Sequence, residues 1–390
     1  MTSPRRRALF AAAGLTGAAG FALVAAGCAL SAPRWRGPVG PHFDGKRFRS
    51  IDPLHQGSTD FFRWITHRDR GCWRGFTDTP PGPRPPERVG EGRLRITFIN
   101  HSTVLIQMDG LNILTDPVWS ERVSPVSFAG PRRHRPPGIL FSDLPPLDAV
   151  LVSHNHYDHM DLPTLRRLAS SHHPRVFAGL GNASFLEKHG VPRSRDLDWW
   201  DSVALAPGVT LTAVPARHFS SRSPFDRDRT LWCGWVVTGP SGSFYFAGDT
   251  GWGSHFQMIR DRFPNLRLAF LPIGAYRPRW FMSQAHIDPE EAVRAQETLG
   301  AATAIAIHFG TFAQADDGES EPIEALKAAL ARCPDPKPRF LILDNGQSLD
   351  LPFPRGGARG VSPRFTSAPA VAVGHVSRSE RPAGRGEGGG

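Results

Sequence analysis

The sequence predicts a layered α/β fold in which β-sheets are covered on their outer faces by helices. Apolar runs of strand length recur between residues 94 and 343, and segments with helical spacing fall among them from residue 163 onward. Composition agrees: at 40% hydrophobic and 21% charged residues, the 390-residue chain has a globular profile and is long enough for a large core.

Taken in order, a proline-rich lead (Pro80, Pro81, Pro83, Pro85, Pro86) precedes residues 94–99, which alternate at period two. Residues 103–106 then pass through Asp109-Gly110 to 111–114, a hairpin signal. Further strands are expected at 149–152, 175–178, 209–214, 232–237, 244–247, 268–271, 304–307 and 340–343. Helical spacing marks 163–169, 183–189, 289–299 and 321–331. The third of these opens on Asp288-Pro289-Glu290-Glu291, with Asp as cap and Pro in the first turn, and closes at Gly300.

The formal charge of +10 is concentrated at the ends. Arg5, Arg6 and Arg7 supply +3, and six arginines against two glutamates after residue 354 supply +4, so the body keeps only +3. That is not the footprint of a nucleic-acid binder. The arginines lead into an apolar, glycine-interrupted run over residues 8–30, which reads as an export signal. Arg6-Arg7 resembles a twin-arginine signal, and Ala26-Gly27-Cys28 suits lipoprotein cleavage with acylation at Cys28 or a retained anchor. A periplasmic or cell-envelope location is expected, with the membrane surface reached through the N-terminal segment. Cys72, Cys233 and Cys333 have no CxxC spacing, so neither a disulfide framework nor a thiolate metal site is indicated.

Directly after the strand at 149–152 comes Ser153-His154-Asn155-His156-Tyr157-Asp158-His159-Met160-Asp161, with four potential ligands in six residues. A loop can bend so that His154 and His156 meet one ion while Asp158 and His159 face a second, which a straight strand or helix cannot do at this spacing. Three more strand ends offer His218, Asp249 and His308. The expected assignment is His154, His156 and His218 on one ion, Asp158, His159 and His308 on the other, with Asp249 bridging. Imidazole and carboxylate donors without thiolate suit two Zn²⁺ ions, with iron and manganese as alternatives. Two ions roughly 3.5–4 Å apart would hold a hydroxide of near-neutral pKa and orient a phosphoryl or carbonyl group, with Asp158 also able to hydrogen-bond that hydroxide. His101 and Asp161 are candidates for fixing imidazole tautomers, and His101 reads equally as a strand-end hydrogen bond.

This ordered set resembles the metallo-β-lactamase superfamily over about residues 93–345. The resemblance implies an αββα sandwich of two mixed sheets flanked by helices, with a binuclear groove between them. Antibiotic-hydrolysing members commonly carry cysteine where Asp249 stands, so the resemblance points to phosphodiester or thioester chemistry instead. The implied organisation is an export segment at 1–30, an extension at 31–92 packing on the core, a catalytic domain at 93–350 and a disordered tail at 351–390.

Further stretches, including Thr115-Asp116-Pro117-Val118-Trp119, Gly130-Pro131-Arg132-Arg133, FAGDTG at 246–251, PIGAYRPRWFMSQAHIDPEEAV at 272–293 and His308-Phe309-Gly310-Thr311-Phe312, are similar to the N-acyl-phosphatidylethanolamine-hydrolysing phospholipase D family and its bacterial relatives. That implies phosphodiester cleavage releasing an N-acylethanolamine and phosphatidic acid. Tyr276, Arg279, Trp280 and Phe281 then read as substrate-binding residues, cationic groups beside apolar ones at a groove edge. Arg279 reads equally as a carboxylate partner, and Trp280 and Phe281 as core. His286 matches a family histidine near the phosphate and is either a proton donor to the departing alkoxide or a cap for the following helix. Ala285 and Arg277 depart from the family's glutamine and acidic residue, and Arg277 is expected to favour a more anionic substrate. The competing readings are a superfamily hydrolase of lactones, thioesters or cyclic phosphodiesters, and a metal- or lipid-binding protein without turnover. Oligomeric state is left open.

Overall fold

A computed structural model describes residues 31–351 apart from 56 and 91. The export segment, Cys28 and most of the tail lie outside the described residues. Fourteen strands form two seven-stranded sheets. The first contains β1 (Leu94–Asn100), β2 (Thr103–Met108), β3 (Leu111–Thr115), β4 (Ala149–Leu151), β5 (Arg175–Gly179), β6 (Ser194–Leu197) and β14 (Ser348–Leu351), in the order β14-β1-β2-β3-β4-β5-β6. The second contains β7 (Ser202–Ala206), β8 (Val209–Val214), β9 (Gly234–Gly239), β10 (Gly242–Phe246), β11 (Leu266–Pro272), β12 (Ala304–Ile307) and β13 (Phe340–Leu341), in the order β13-β12-β11-β10-β9-β8-β7. Each sheet is antiparallel on one side and parallel on the other: β1, β2 and β3 pair antiparallel, then β4, β5 and β6 follow in parallel, and β8, β9 and β10 repeat the pattern before β11, β12 and β13. This is the two-sheet layered architecture expected from the sequence.

Alternate residues of the first sheet point to opposite faces, and both faces are buried. Phe98, Val104 and Ile106 join one apolar cluster with Val236, Phe244 and Phe246 of the second sheet. Their chain neighbours Ile99 and Leu105 turn the other way and join Val150 and Val176. That outer face is covered by α2 (Leu162–Ser171) through Leu165 and Leu168, and by α3 (Ala183–Lys188) through Phe185 and Leu186. Strands buried on both faces read as continuous apolar runs rather than as alternation of apolar and polar residues. Helices α4 (His255–Arg262), α6 (Pro289–Leu299) and α7 (Glu321–Arg332) pack with the second sheet, and α6 has the expected start: the Asp288 carboxylate accepts the Glu291 N–H, and Gly300 ends the helix in the left-handed region.

Three strands and three helices were not legible. β6 and β14 carry exposed polar residues within their span, β7 has a run of only four apolar residues after Ser202, and all three end a sheet order. Helices α1 (Ser58–Thr66), α4 and α5 (Arg279–Met282) are short. Among the described residues no helix is long and apolar enough to cross a membrane.

Residues 31–92 run across the surface on backbone hydrogen bonds, including Phe48 N–H to the Asp228 carbonyl at 2.8 Å, Gly71 N–H to Asp316 at 2.7 Å and Gly82 N–H to Gly138 at 2.7 Å. At the last contact three backbones meet without side chains. A Cβ on Gly138 would stand 1.9 Å from the Gly346 nitrogen, and one on Gly82 would stand 2.2 Å from the Gly346 carbonyl oxygen. Gly138→Ala is therefore expected to destabilise the fold by about 1–3 kcal/mol, the usual scale of overpacking, read as a lower midpoint in urea denaturation.

Candidate metal centre

The chemistry-bearing residues all follow the C-terminal ends of strands. His154, His156, Asp158 and His159 lie in the loop after β4, His218 follows β8, Asp249 follows β10 and His308 follows β12. β8 and β10 are each antiparallel to β9, so their ends emerge at the same edge of the second sheet. The two sheets meet there at close range. Gly248 has φ +60°, and a Cβ on it would lie 2.4 Å from the Ser153 Cβ, so the turn carrying Asp249 reaches the β4 loop because no side chain intervenes.

The predicted residues come together. His154 Nε2 lies 2.8 Å from His156 Nδ1, and His218 Nε2 lies 3.3 Å from the same atom. Asp249 Oδ2 is 3.9 Å from His154 Nε2 and 3.8 Å from His218 Nε2. The other half of the cluster gathers on Asp158 Oδ2, with His159 Nε2 at 3.0 Å and His308 Nε2 at 3.3 Å. Asp249 also faces this half, with Oδ2 at 3.3 Å from His159 Nε2 and Oδ1 at 3.2 Å from His308 Nε2. Its carboxylate thus stands between the two halves, where the sequence reading put it.

The donor set fits a metal ion. Ligand atoms held ~2.0–2.1 Å from a tetrahedral zinc stand roughly 3.3 Å apart, close to the spacings here. The outer nitrogens of three imidazoles are occupied: His154 Nδ1 by Ser153 Oγ at 2.9 Å, His159 Nδ1 by Asp116 Oδ2 at 2.7 Å, and His218 Nδ1 by the Ala285 carbonyl at 3.0 Å. Each ring therefore turns Nε2 toward the cluster, the arrangement that second-sphere partners impose on ligating histidines. His159 Nε2 and Asp249 Oδ1 are buried with no hydrogen-bond partner among the described residues. Burial and neighbouring imidazoles hold His154 and His218 neutral, far below the usual histidine range. For His159, burial opposes the charge, but Asp249, Asp158 and Asp116 outweigh it and raise the pKa. Asp249 and Asp158 stay ionised, because facing histidines overcome their burial.

Of the two surrounding groups named from the sequence, His101 reaches the cluster and Asp161 does not. His101 is more than a strand-end residue: its Nε2 lies 3.0 Å from Asp158 Oδ2, and its carbonyl accepts the His308 N–H at 2.7 Å. Asp161 reaches none of the cluster imidazoles among the described contacts; it accepts from Ser120 N at 3.1 Å, Ser120 Oγ at 2.8 Å and Thr164 Oγ1 at 2.5 Å. The carboxylate that orients an imidazole is Asp116, whose Oδ2 also accepts from Ser153 Oγ at 2.6 Å while Oδ1 accepts from Ser153 N at 2.7 Å. Asp116, His101 and His308 all have positive φ, at 32°, 47° and 62°. Such non-glycine conformations cost on the order of 1–3 kcal/mol and cluster at functional sites.

A cavity of about 580 Å³ opens onto the cluster, floored by His156, Asp158, Asp249, His286 and His308. Phe61, Trp64, Phe281, Met282 and Ala315 give it an apolar wall. Phe281 lies where the sequence reading placed it, stacked on Trp64 with ring centroids 5.2 Å apart and planes at 18°. Tyr276, Arg279 and Trp280 do not line the cavity. Arg279 braces the following loop instead, with Nε 3.2 Å from Asp288, Nη2 2.7 Å from Glu291, and Nη1 donating to the His286 carbonyl at 2.9 Å. Trp280 is nearly half exposed beneath the Arg63 guanidinium. Arg277 is neutralised by Glu321 at 2.7 Å and Asp69 at 3.2 Å, which removes the reason to expect it to select an anionic substrate. His286 is not a helix cap, a role Asp288 fills; it lies at the cavity with Nδ1 3.8 Å from Asp249 Oδ2. The aromatic wall from α1 was missed, although Phe61-Phe62-Arg63-Trp64 is a visible aromatic run.

Asp116→Ala is expected to lower metal affinity about 10–100-fold in chelator competition, with Asp249→Asn losing at least as much.

The description "Beta-lactamase superfamily domain" matches residues 111–309. An uncharacterized protein of Mycobacterium tuberculosis is 37% identical over 299 residues, covering 74% of this chain and 79% of that protein. N-acyl-phosphatidylethanolamine-hydrolyzing phospholipase D 1 of Caenorhabditis elegans is 37% identical over 270 residues, covering 66% of this chain and 76% of that protein. Among solved structures, a metallo hydrolase from Ignicoccus hospitalis shares the fold with a TM-score of 0.50 at 21% identity, over 67% of this chain and 99% of its own. With its paired mixed sheets and buried His/Asp cluster, the chain belongs to the metallo-β-lactamase superfamily and is a metal-dependent hydrolase.

Proposed function

We propose that the protein is a two-zinc phosphodiesterase that cleaves acyl-bearing phospholipids of the N-acyl-phosphatidylethanolamine type, releasing an N-acylethanolamine and phosphatidic acid. The observation that carries this reading is the cavity: its floor is the His/Asp cluster, and the wall beside that floor is apolar over Phe61, Trp64, Phe281 and Met282. A phosphoryl group at the floor would have an acyl chain beside it. The relative in Caenorhabditis elegans carries this activity in its name and supports the same reading.

Zinc ions held by His154, His156, His218, Asp158, His159, His308 and Asp249 would supply Lewis acidity and lower the pKa of water toward neutrality. The chain's residues do the rest. Asp249 and Asp158 keep their negative charge inside the cluster and orient the imidazoles around them. His286 is held neutral, its pKa pushed down to about 4 by burial, and bound cations act in the same direction. As a neutral imidazole it offers one N–H donor, which we assign to the phosphoryl group or the departing oxygen. Water adds to phosphorus, the bond from phosphorus to the ethanolamine oxygen breaks, and that oxygen leaves with a proton. The apolar wall excludes bulk water from the acyl side.

The test is mass spectrometry of products after metal-loaded protein meets N-acyl-phosphatidylethanolamine in detergent micelles, beside a chelated control. N-Acylethanolamine is expected only with metal, and a loaded protein that forms none overturns the lipid assignment. Trp64→Ala should lower kcat/KM about tenfold for long N-acyl chains and far less for short ones, since the buried ring contributes apolar contact in proportion to chain length. Equal losses for both lengths would remove the acyl wall from the reading.

A further inference from the structure

The cations around the cavity are mostly spent. Arg277 and Arg279 are held by carboxylates, and Arg222 is buried with Nη1 donating to the carbonyls of Asn155 at 2.8 Å and Met160 at 3.0 Å. Arg227 differs. It lines the cavity, and its guanidinium lies 4.1 Å from the centre of the Phe219 ring. Among the described residues its charged neighbour is Asp228, 3.6 Å from Nε and beyond hydrogen-bond reach, and its terminal nitrogens donate to nothing. Stacking on an aromatic face fixes the plane of the fork while leaving its donors available.

The distance to the cluster decides what such a fork can meet. Phe219 itself packs against ligand imidazoles, 4.7 Å from the His156 ring and 4.8 Å from the His218 ring. Arg227 is therefore one aromatic ring removed from the metal centre. Its guanidinium stands one stacking distance beyond a ring that packs on His156, within reach of a charge carried on a short chain leaving a phosphoryl group at the cluster. An Arg fork with unspent donors in a partly dry cavity matches an anionic oxygen pair.

We propose that Arg227 selects substrates carrying a second anionic group, a carboxylate or phosphate, at the far end of a short N-acyl chain extending from the scissile phosphoryl group. This deepens the phosphodiesterase reading and rests on it. The experiment compares two lipids of equal acyl length, N-glutaryl- and N-pentanoyl-phosphatidylethanolamine, which differ by one carboxylate. Wild-type, metal-loaded protein is expected to show a KM about tenfold lower for the glutaryl lipid, on the scale of one charge-assisted hydrogen bond. Arg227→Ala should bring the ratio of the two KM values close to one, with the ratio of kcat values unmoved, and Arg227→Lys should restore part of the preference. A wild-type ratio near one, or a preference that survives Arg227→Ala, overturns the proposal. If neither lipid is cleaved, the phosphodiesterase reading fails. The same uncleaved lipids then serve as calorimetric ligands at fixed detergent: tighter glutaryl binding that Arg227→Ala abolishes supports the Arg227 assignment, and equal binding of the two lipids rejects it.

Discussion

The Asp116 carboxylate joins the two things this molecule has to reconcile, a dry core and a cluster of imidazoles. It stands just past the end of β3, accepts the backbone and side-chain donors of Ser153, and accepts a hydrogen bond from His159 Nδ1–H. Ser153 in turn touches His154 and lies beneath the glycine turn that delivers Asp249. One buried anion thereby positions a ligand from the first sheet directly and one from the second through a single intermediary. Burial raises its pKa, and His159 and the Ser153 donors oppose that rise.

That arrangement makes the site's geometry a property of strand ends rather than of flexible loops. β4, β8, β10 and β12 each deliver a ligand within a few residues of leaving the sheet, and the core of Phe98, Phe244 and Phe246 fixes the sheets relative to each other. Side chains anchored this way have their backbone positions set by the packed core, so the folding energy of the core contributes to ordering them.

How much of this the sequence could tell depended on whether a residue's partner was local. The seven candidate ligands were readable because each follows an apolar strand, and the structure gathers them into one cluster. The two-sheet architecture was readable for the same reason. Arg277 was misjudged because a cation's availability depends on what faces it: Asp69 lies 208 residues away and Glu321 lies 44 away. Asp116 sat in a quoted stretch with nothing local to mark its carboxylate as the partner of His159. Phe61 and Trp64 belong to a nine-residue helix whose apolar spacing is too short to announce a wall for a distant cavity.

The position of that helix has a consequence for how such a protein can diversify. The superfamily match begins at residue 111, yet Phe61 and Trp64 come from the segment before it. The floor and one side of the chamber above it thus come from different stretches of chain. Lengthening, shortening or recombining the upstream stretch would remodel the chamber while the bond-breaking machinery stays under its own constraint, so substrate range and chemistry are free to drift at different rates.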